Sequence, residues 1–150
     1  MPKINIEQIK KLREQTGVAI IRVREVLEEV KGNEKKALEI LQKEGFEKAA
    51  KRSGRATTQG KLFAYTHHTG KIVGLVELFC ETDFVARNDL FETLGKDLAM
   101  QVASMGEKNF LDQEFIKDST KKVGGLVKEV VVKTGENIRL GRVIKVELGK

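Results

Sequence analysis

One cysteine, one proline, one tyrosine and no tryptophan occur in this chain of 150 residues. A single cysteine excludes an intrachain disulfide. Cys80 lies in an apolar, strand-like run with no base beside it, so it reads as a small buried hydrophobe rather than a catalytic thiol. No apolar run approaches the ~20 residues that span a bilayer. The opening Met1, Pro2, Lys3, Ile4 and Asn5 turn polar too soon for a secretory signal. The expected compartment is the cytoplasm. Aromatic residues make up only 5% of the chain, whereas a dedicated nucleic-acid binder sets basic clusters beside exposed rings.

What is present describes a globular chain. Apolar residues account for 40% and charged residues for 33%, a balance that supports a packed core. The net charge of +6 suits an acidic partner surface or nucleic acid. The basic residues are spread along the chain and interleaved with glutamate, which weakens the nucleic-acid reading.

Residues 1–45 read as three short helices. Asn5 is a good N-cap for the first, which sets Ile6, Ile9 and Leu12 on one face. The second places Ile20, Val23, Leu27 and Val30 on one stripe. Asn33 caps the third, with Ala37, Ile40 and Leu41 inward. Gly17, Gly32 and Gly45 are the expected stops. So small a bundle is marginal alone and suits a docking module. Residues 46–60 read as a linker whose first part can be helical and which Ser53-Gly54 breaks.

Residues 61–150 read as a core of strands and helices. Strands at 61–68 and 71–81 flank a Thr69-Gly70 turn. The second is apolar on both faces, so it is central or one face meets a partner. Glu77 and Glu81 mark the face with Val73, Leu75 and Phe79 as the interface side. Asn88 caps a long helix carrying Phe91, Leu94, Leu98, Val102 and Met105, and Gly106 ends it. Asp112 is expected to cap a short helical piece holding Phe115 and Ile116, and a helix over 119–134 follows. In the latter, Gly124-Gly125 imply close approach of a neighbouring element. A last strand over 137–148 turns Ile138, Leu140, Ile144, Val146 and Leu148 inward. The fold class is α+β: a three-helix head, then a three-stranded antiparallel sheet with helices on one face.

Little in this pattern supports enzyme chemistry. His67 and His68 are adjacent on a strand, so they point to opposite faces and cannot share a metal. Gly124-Gly125 lacks the Lys-Ser/Thr of a phosphate loop. No nucleophile, paired-carboxylate or metal set stands out. The head is either a helix-turn-helix DNA reader or a docking bundle. Its mixed face of Lys10, Lys11, Arg13 and Glu14 favours docking. Thr82-Asp83-Phe84-Val85 stands where a strand gives way to a helix, with Arg87 following. It has two readings: Phe84 in the core with Thr82 or Asp83 as a cap, or a projecting apolar wedge beside a negative charge.

The chain resembles the elongation factor Ts family over nearly its whole length. The resemblance is carried by Leu12-Arg13-Glu14-Gln15-Thr16-Gly17, by Lys48-Ala49-Ala50-Lys51, by Arg55 through Gly60, by Glu81-Thr82-Asp83-Phe84-Val85-Ala86-Arg87-Asn88, and by Gly135-Glu136-Asn137-Ile138 with Arg142. It implies a ubiquitin-associated-like head and an α+β core. It implies a partner, elongation factor Tu, from which GDP is released, and no cofactor of the chain's own. It points to Thr82, Asp83, Phe84 and Val85 as the exchange wedge, with Asp83 and Phe84 near the partner's magnesium site. It points to Leu12, Arg13, Ile20 and Ile21 for head docking. Where the family has a Met-Met pair and a following Cys-Lys-Lys, this chain has Ile20, Ile21, Val23, Arg24 and Glu25. Single-core family members can pair through their sheets, so a homodimer is expected. The competing expectation is a cytoplasmic nucleic-acid or ribosome-binding module, drawn from net charge and the helical head.

Overall fold

Asn5 begins the first helix by a reciprocal cap. Its side chain accepts from the Glu7 amide at 3.0 Å, and its own amide donates to Gln8 Oε1 at 3.3 Å. In the computed structural model, which describes residues 3–150, this helix is α1 (Ile6–Thr16). Met1 and Pro2, the start of the segment judged against a secretory signal, lie outside the described residues. Gly17 closes α1 in the left-handed region at φ 69°, a conformation that costs glycine least. Then come α2 (Ile20–Glu29) and α3 (Glu34–Lys51). Their small core holds Leu12, Val23, Val26, Leu27, Ala37 and Leu41.

Two expectations for the head change. Ile6 and Ile20, placed on the buried stripes, are exposed. Both stand in the first turn of their helices, beyond the edge of so small a core, and Val26 fills the inner face instead. Gly45 does not stop α3. It lies buried inside the helix, and a Cβ there would come within 3.1 Å of Val132 Cγ1. The missing side chain lets the helix later in the chain pack close. The last turn of α3 therefore occupies the start of the segment read as a linker.

The sheet has the order β1-β2-β5, all antiparallel, with β1 (Gln59–Thr66), β2 (Ile72–Cys80) and β5 (Ile138–Glu147). A one-turn helix α4 (Asp83–Ala86) and the long α5 (Asp89–Met105) follow β2. Asn88 caps α5 by accepting from the Leu90 amide at 2.8 Å, and Gly106 ends it. The helix lays Phe91, Leu94, Leu98 and Val102 on the inner face of the sheet. The Phe63 and Phe91 rings meet there at 5.9 Å between centroids. Met105, expected on the same stripe, is exposed in the final turn.

The helix expected over 119–134 starts later. A 3₁₀ turn (Phe110–Asp112) leads into a small ribbon of β3 (Glu114–Phe115) and β4 (Asp118–Lys122), so Asp112 ends a turn rather than capping a helix with Phe115 and Ile116, and α6 (Val123–Thr134) follows. Buried Gln101 organises this ribbon. Its Nε2 donates to Gln113 Oε1 at 3.1 Å and to Glu114 O at 3.0 Å, while its Oε1 accepts from the Ile116 amide at 2.9 Å. Gly124 packs against Leu111 O, as close approach requires, but Gly125 faces open space.

The last strand departs most from its expected pattern. Val76 pairs with Val143, yet Leu78 pairs with Leu140, so Glu77 opposes both Gly141 and Arg142. This is a β-bulge, and one extra residue reverses which side chains face inward. Ile138 and Leu140 point to the core. Ile144, Val146 and Leu148, expected inward, lie exposed on the outer side. Glu77 Oε1 fixes the bulge by accepting from the Arg142 amide at 3.2 Å and from its Nε. That bond holds the Glu77 carboxyl below the usual carboxylate range.

Candidate partner-binding site at the β2–α4 turn

Where β2 ends, the backbone must turn from extended to helical within one residue. Thr82 does this at φ −126° and ψ 157°, with its hydroxyl accepting from the Val85 amide at 3.4 Å. Four residues of helix present alternating fates. Val85 is 8% exposed and Ala86 also turns into the core, whereas Phe84 is 83% exposed. A single exposed apolar side chain is ordinary on a protein surface; what sets Phe84 apart is its place on a turn whose neighbours Val85 and Ala86 are anchored in the core. Asp83 stands beside it in the first turn and forms an ion pair with Arg87 at 2.9 Å. Both partners are exposed, so the pair contributes little to stability.

The turn rests on a polar base. Glu136 Oε1 accepts from the amides of Glu81 and Thr82 at 3.1 and 3.0 Å, and its Oε2 accepts from the Thr82 hydroxyl at 2.6 Å. Glu81 Oε2 in return accepts from the Asn137 amide at 2.6 Å. Glu81 is thus half-buried and internally used, not a marker of the outer face as strand alternation suggested. Below them, Cys80 is fully buried, with its Sγ donating to Thr82 O at 3.1 Å. Burial pushes its thiol up, and the Glu136 carboxylate adds to this. A protonated, enclosed thiol is a packing group, not a nucleophile.

The head exposes three of its expected docking residues. Ile21 is 75% and Ile20 48% exposed, and Arg13 also faces solvent. Leu12 lies inside the head core and Val85 inside the larger core. These two side chains hold their helices in place and offer no surface to a partner.

A sequence model described as Elongation factor TS matches residues 81–150, starting at the Glu81 that opens this turn. Curated relatives extend the match over the head. An elongation factor Ts of Thermotoga maritima is 38% identical over 194 aligned positions, covering 99% of this chain and 98% of that protein. The chain belongs to the elongation factor Ts family. It is thereby an elongation factor of translation. Proteins of the same name from Leptospira biflexa and Fervidobacterium nodosum are 36% and 32% identical, over 97% and 99% of this chain and 98% and 100% of theirs. The alignment with the Thermotoga maritima protein spans 194 positions against 150 residues here, so at least 44 aligned positions have no residue in this chain.

Among the described residues no group of three or more His, Cys, Asp or Glu side chains is placed to hold a metal. His67 and His68 lie past the end of β1, not on opposite faces of a strand. Their rings sit 4.1 Å apart, with His67 Nδ1 2.9 Å from Thr69 Oγ1 in the hairpin turn. No helix among the described residues is long and apolar enough to cross a membrane. The sequence singled out the turn, but it placed Asn137 at the start of the last strand and counted Glu136 only toward the family resemblance, whereas both hold the base of the turn. Their local signal is slight: two polar residues between the helix-ending Gly135, at φ 76°, and a strand.

Proposed function

We propose that the chain is a guanine-nucleotide exchange factor for elongation factor Tu, with Asp83 and Phe84 as its effector pair. The observation that carries this reading is the Phe84 ring, held in water on a turn whose other apolar residues are anchored in the core. GDP is held in such GTPases together with a magnesium ion that neutralises phosphate charge. A carboxylate brought near that ion disturbs its ligands, while an intruding ring parts packed elements. Burying one phenylalanine yields roughly 2–3 kcal/mol, and each 1.4 kcal/mol is about tenfold in an equilibrium. The wedge thus accounts for a large factor, with the rest from docking. The coupling is reciprocal: bound GDP weakens the factor's hold by the same ratio.

The head supplies grip. Ile20 and Ile21 form its exposed apolar edge and take the place of the family's paired methionines, and Arg13 is exposed as well. In this division, the helical head docks and the sheet-bearing core exchanges. The outer sheet face, with Leu62, Val73, Leu75, Ile144 and Val146, supports pairing of two copies.

The test is release of a fluorescent GDP from elongation factor Tu. Added factor is expected to speed release, and Asp83→Ala and Phe84→Ala to slow it with the fold intact. No acceleration by the unaltered protein would sink the reading.

A further inference from the structure

The α4 helix cannot set its own direction. Four residues are too few to repay helix nucleation, and its single side-chain cap, Thr82 to Val85, is long at 3.4 Å. Val85 and Ala86 anchor it from beneath. Its base is fixed from behind by one carboxylate, Glu136, which takes three donors from two successive residues of a different segment. Bonds to a charged acceptor are the stronger kind. The pairing is crosswise, because Glu81 of the first turn takes the amide of Asn137 in the second.

The second turn is tied elsewhere too. Asn137 Nδ2 donates to Ser53 O at 3.3 Å and to Arg55 O at 2.9 Å, where the chain leaves α3. The Arg55 guanidinium stands 3.7 Å from Glu81 Oε2. Just before it, Arg52 donates to Val131 O at 3.1 Å. A continuous polar path thus runs from the end of the head's longest helix, through Asn137 and Glu81, to the base of the projecting ring.

We propose that Glu136, Asn137, Glu81 and Arg55 are positioning residues. They fix the direction in which Phe84 projects and its reach from the docked head. This rests on the exchange reading above. None of the four need touch the partner, so their loss acts on the maximal rate rather than on docking.

The experiment measures GDP release against factor concentration for Glu136→Ala, Glu136→Gln, Phe84→Ala and the Glu136→Ala/Phe84→Ala pair, with amide hydrogen exchange on each. Glu136→Ala is expected to lower the maximal rate about tenfold to a hundredfold, the scale of one lost charge-assisted bond. The half-saturating concentration should stay within about twofold, since the head is untouched. Glu136→Gln recovers most of the rate because its amide oxygen still accepts from both backbone amides. The pair is expected to be no slower than Phe84→Ala alone, since there is no ring left to aim. Amides of residues 82–86 should exchange faster in Glu136→Ala while those of α5 do not change. A wild-type maximal rate in Glu136→Ala, or independent effects in the pair, overturns the proposal. Unaltered exchange at 82–86 overturns the clamp whatever Phe84 does. A wild-type rate in Phe84→Ala instead overturns the exchange reading, and the amides tell the two failures apart.

Discussion

The Phe63 ring packs directly against Gly95, with no room between strand β1 and helix α5 for even one carbon. A methyl group at position 95 would overlap the ring, which is itself buried against Phe91. Gly95→Ala is therefore expected to destabilise the protein by about 1–3 kcal/mol, the usual cost of overpacking. A lowered urea midpoint with an unchanged slope would show it. Gly125→Ala is the control. That glycine is also helical but faces open space, so alanine should stabilise by about 0.5–1 kcal/mol. Equal effects at the two positions would contradict the packing.

Phe84 and Val85 are chain neighbours with opposite environments, so their effects should separate. Phe84→Ala is expected to leave stability within about 0.5 kcal/mol, as for other exposed sites, while GDP release slows. Val85→Ala should instead cost about 1–3 kcal/mol, as truncation in a core does. Its exchange activity should fall only as far as the turn loosens. Thermal unfolding and GDP release measured on the same samples decide this. A stability loss in Phe84→Ala equal to that in Val85→Ala would place the ring in the core after all.

An acid limit to stability is expected in the head. Arg22 grips both oxygens of Glu44, through Nε at 3.0 Å and Nη2 at 2.5 Å. This hydrogen bonding holds the Glu44 carboxyl below its ordinary 4.5. A depressed carboxylate contributes its full stability above the unfolded value and loses it as pH falls through the folded one. Unfolding free energy should therefore decline below about pH 4.5. Arg22→Met should be less stable than the parent at neutral pH and converge with it in acid. Curves that stay parallel throughout would mean that the pair contributes nothing.

The fold class was legible because helix caps and apolar periodicity are local. Asn5, Asn33 and Asn88 announce the three helices they cap by their own side chains. What escaped depends on partners distant in the chain. Gly45 reads as a stop by composition, and only Val132 explains why glycine sits inside a helix. The bulge opposite Glu77 is invisible in the strand's own alternation, because its cause is a carboxylate across the sheet. The β3–β4 ribbon rests on Gln101, a polar residue within an apolar helix face. At the site, strand and helix grammar placed the turn, but Glu136 lies 54 positions beyond the threonine it holds.

The same bulge has a consequence for assembly. By reversing the end of β5 it brings Ile144 beside Leu75 and Val146 beside Val73 on the outer face. Val146 is 59% exposed there. Inward placement would have hidden the isoleucine and the valine in one chain, whereas this arrangement leaves an apolar strip exposed, the face on which the proposed pairing of two copies is tested. Val146→Lys puts a charge within that strip. Being exposed, the substitution should alter monomer stability by no more than about 0.5 kcal/mol. In a dimer it would bury two unpaired ammonium groups, one from each copy, at a cost of several kcal/mol. Sedimentation velocity over a range of concentrations is expected to show the unaltered protein dimerising and Val146→Lys remaining monomeric. A parent that stays monomeric at the highest concentration, or a lysine variant that still pairs, would rule out this face as the contact.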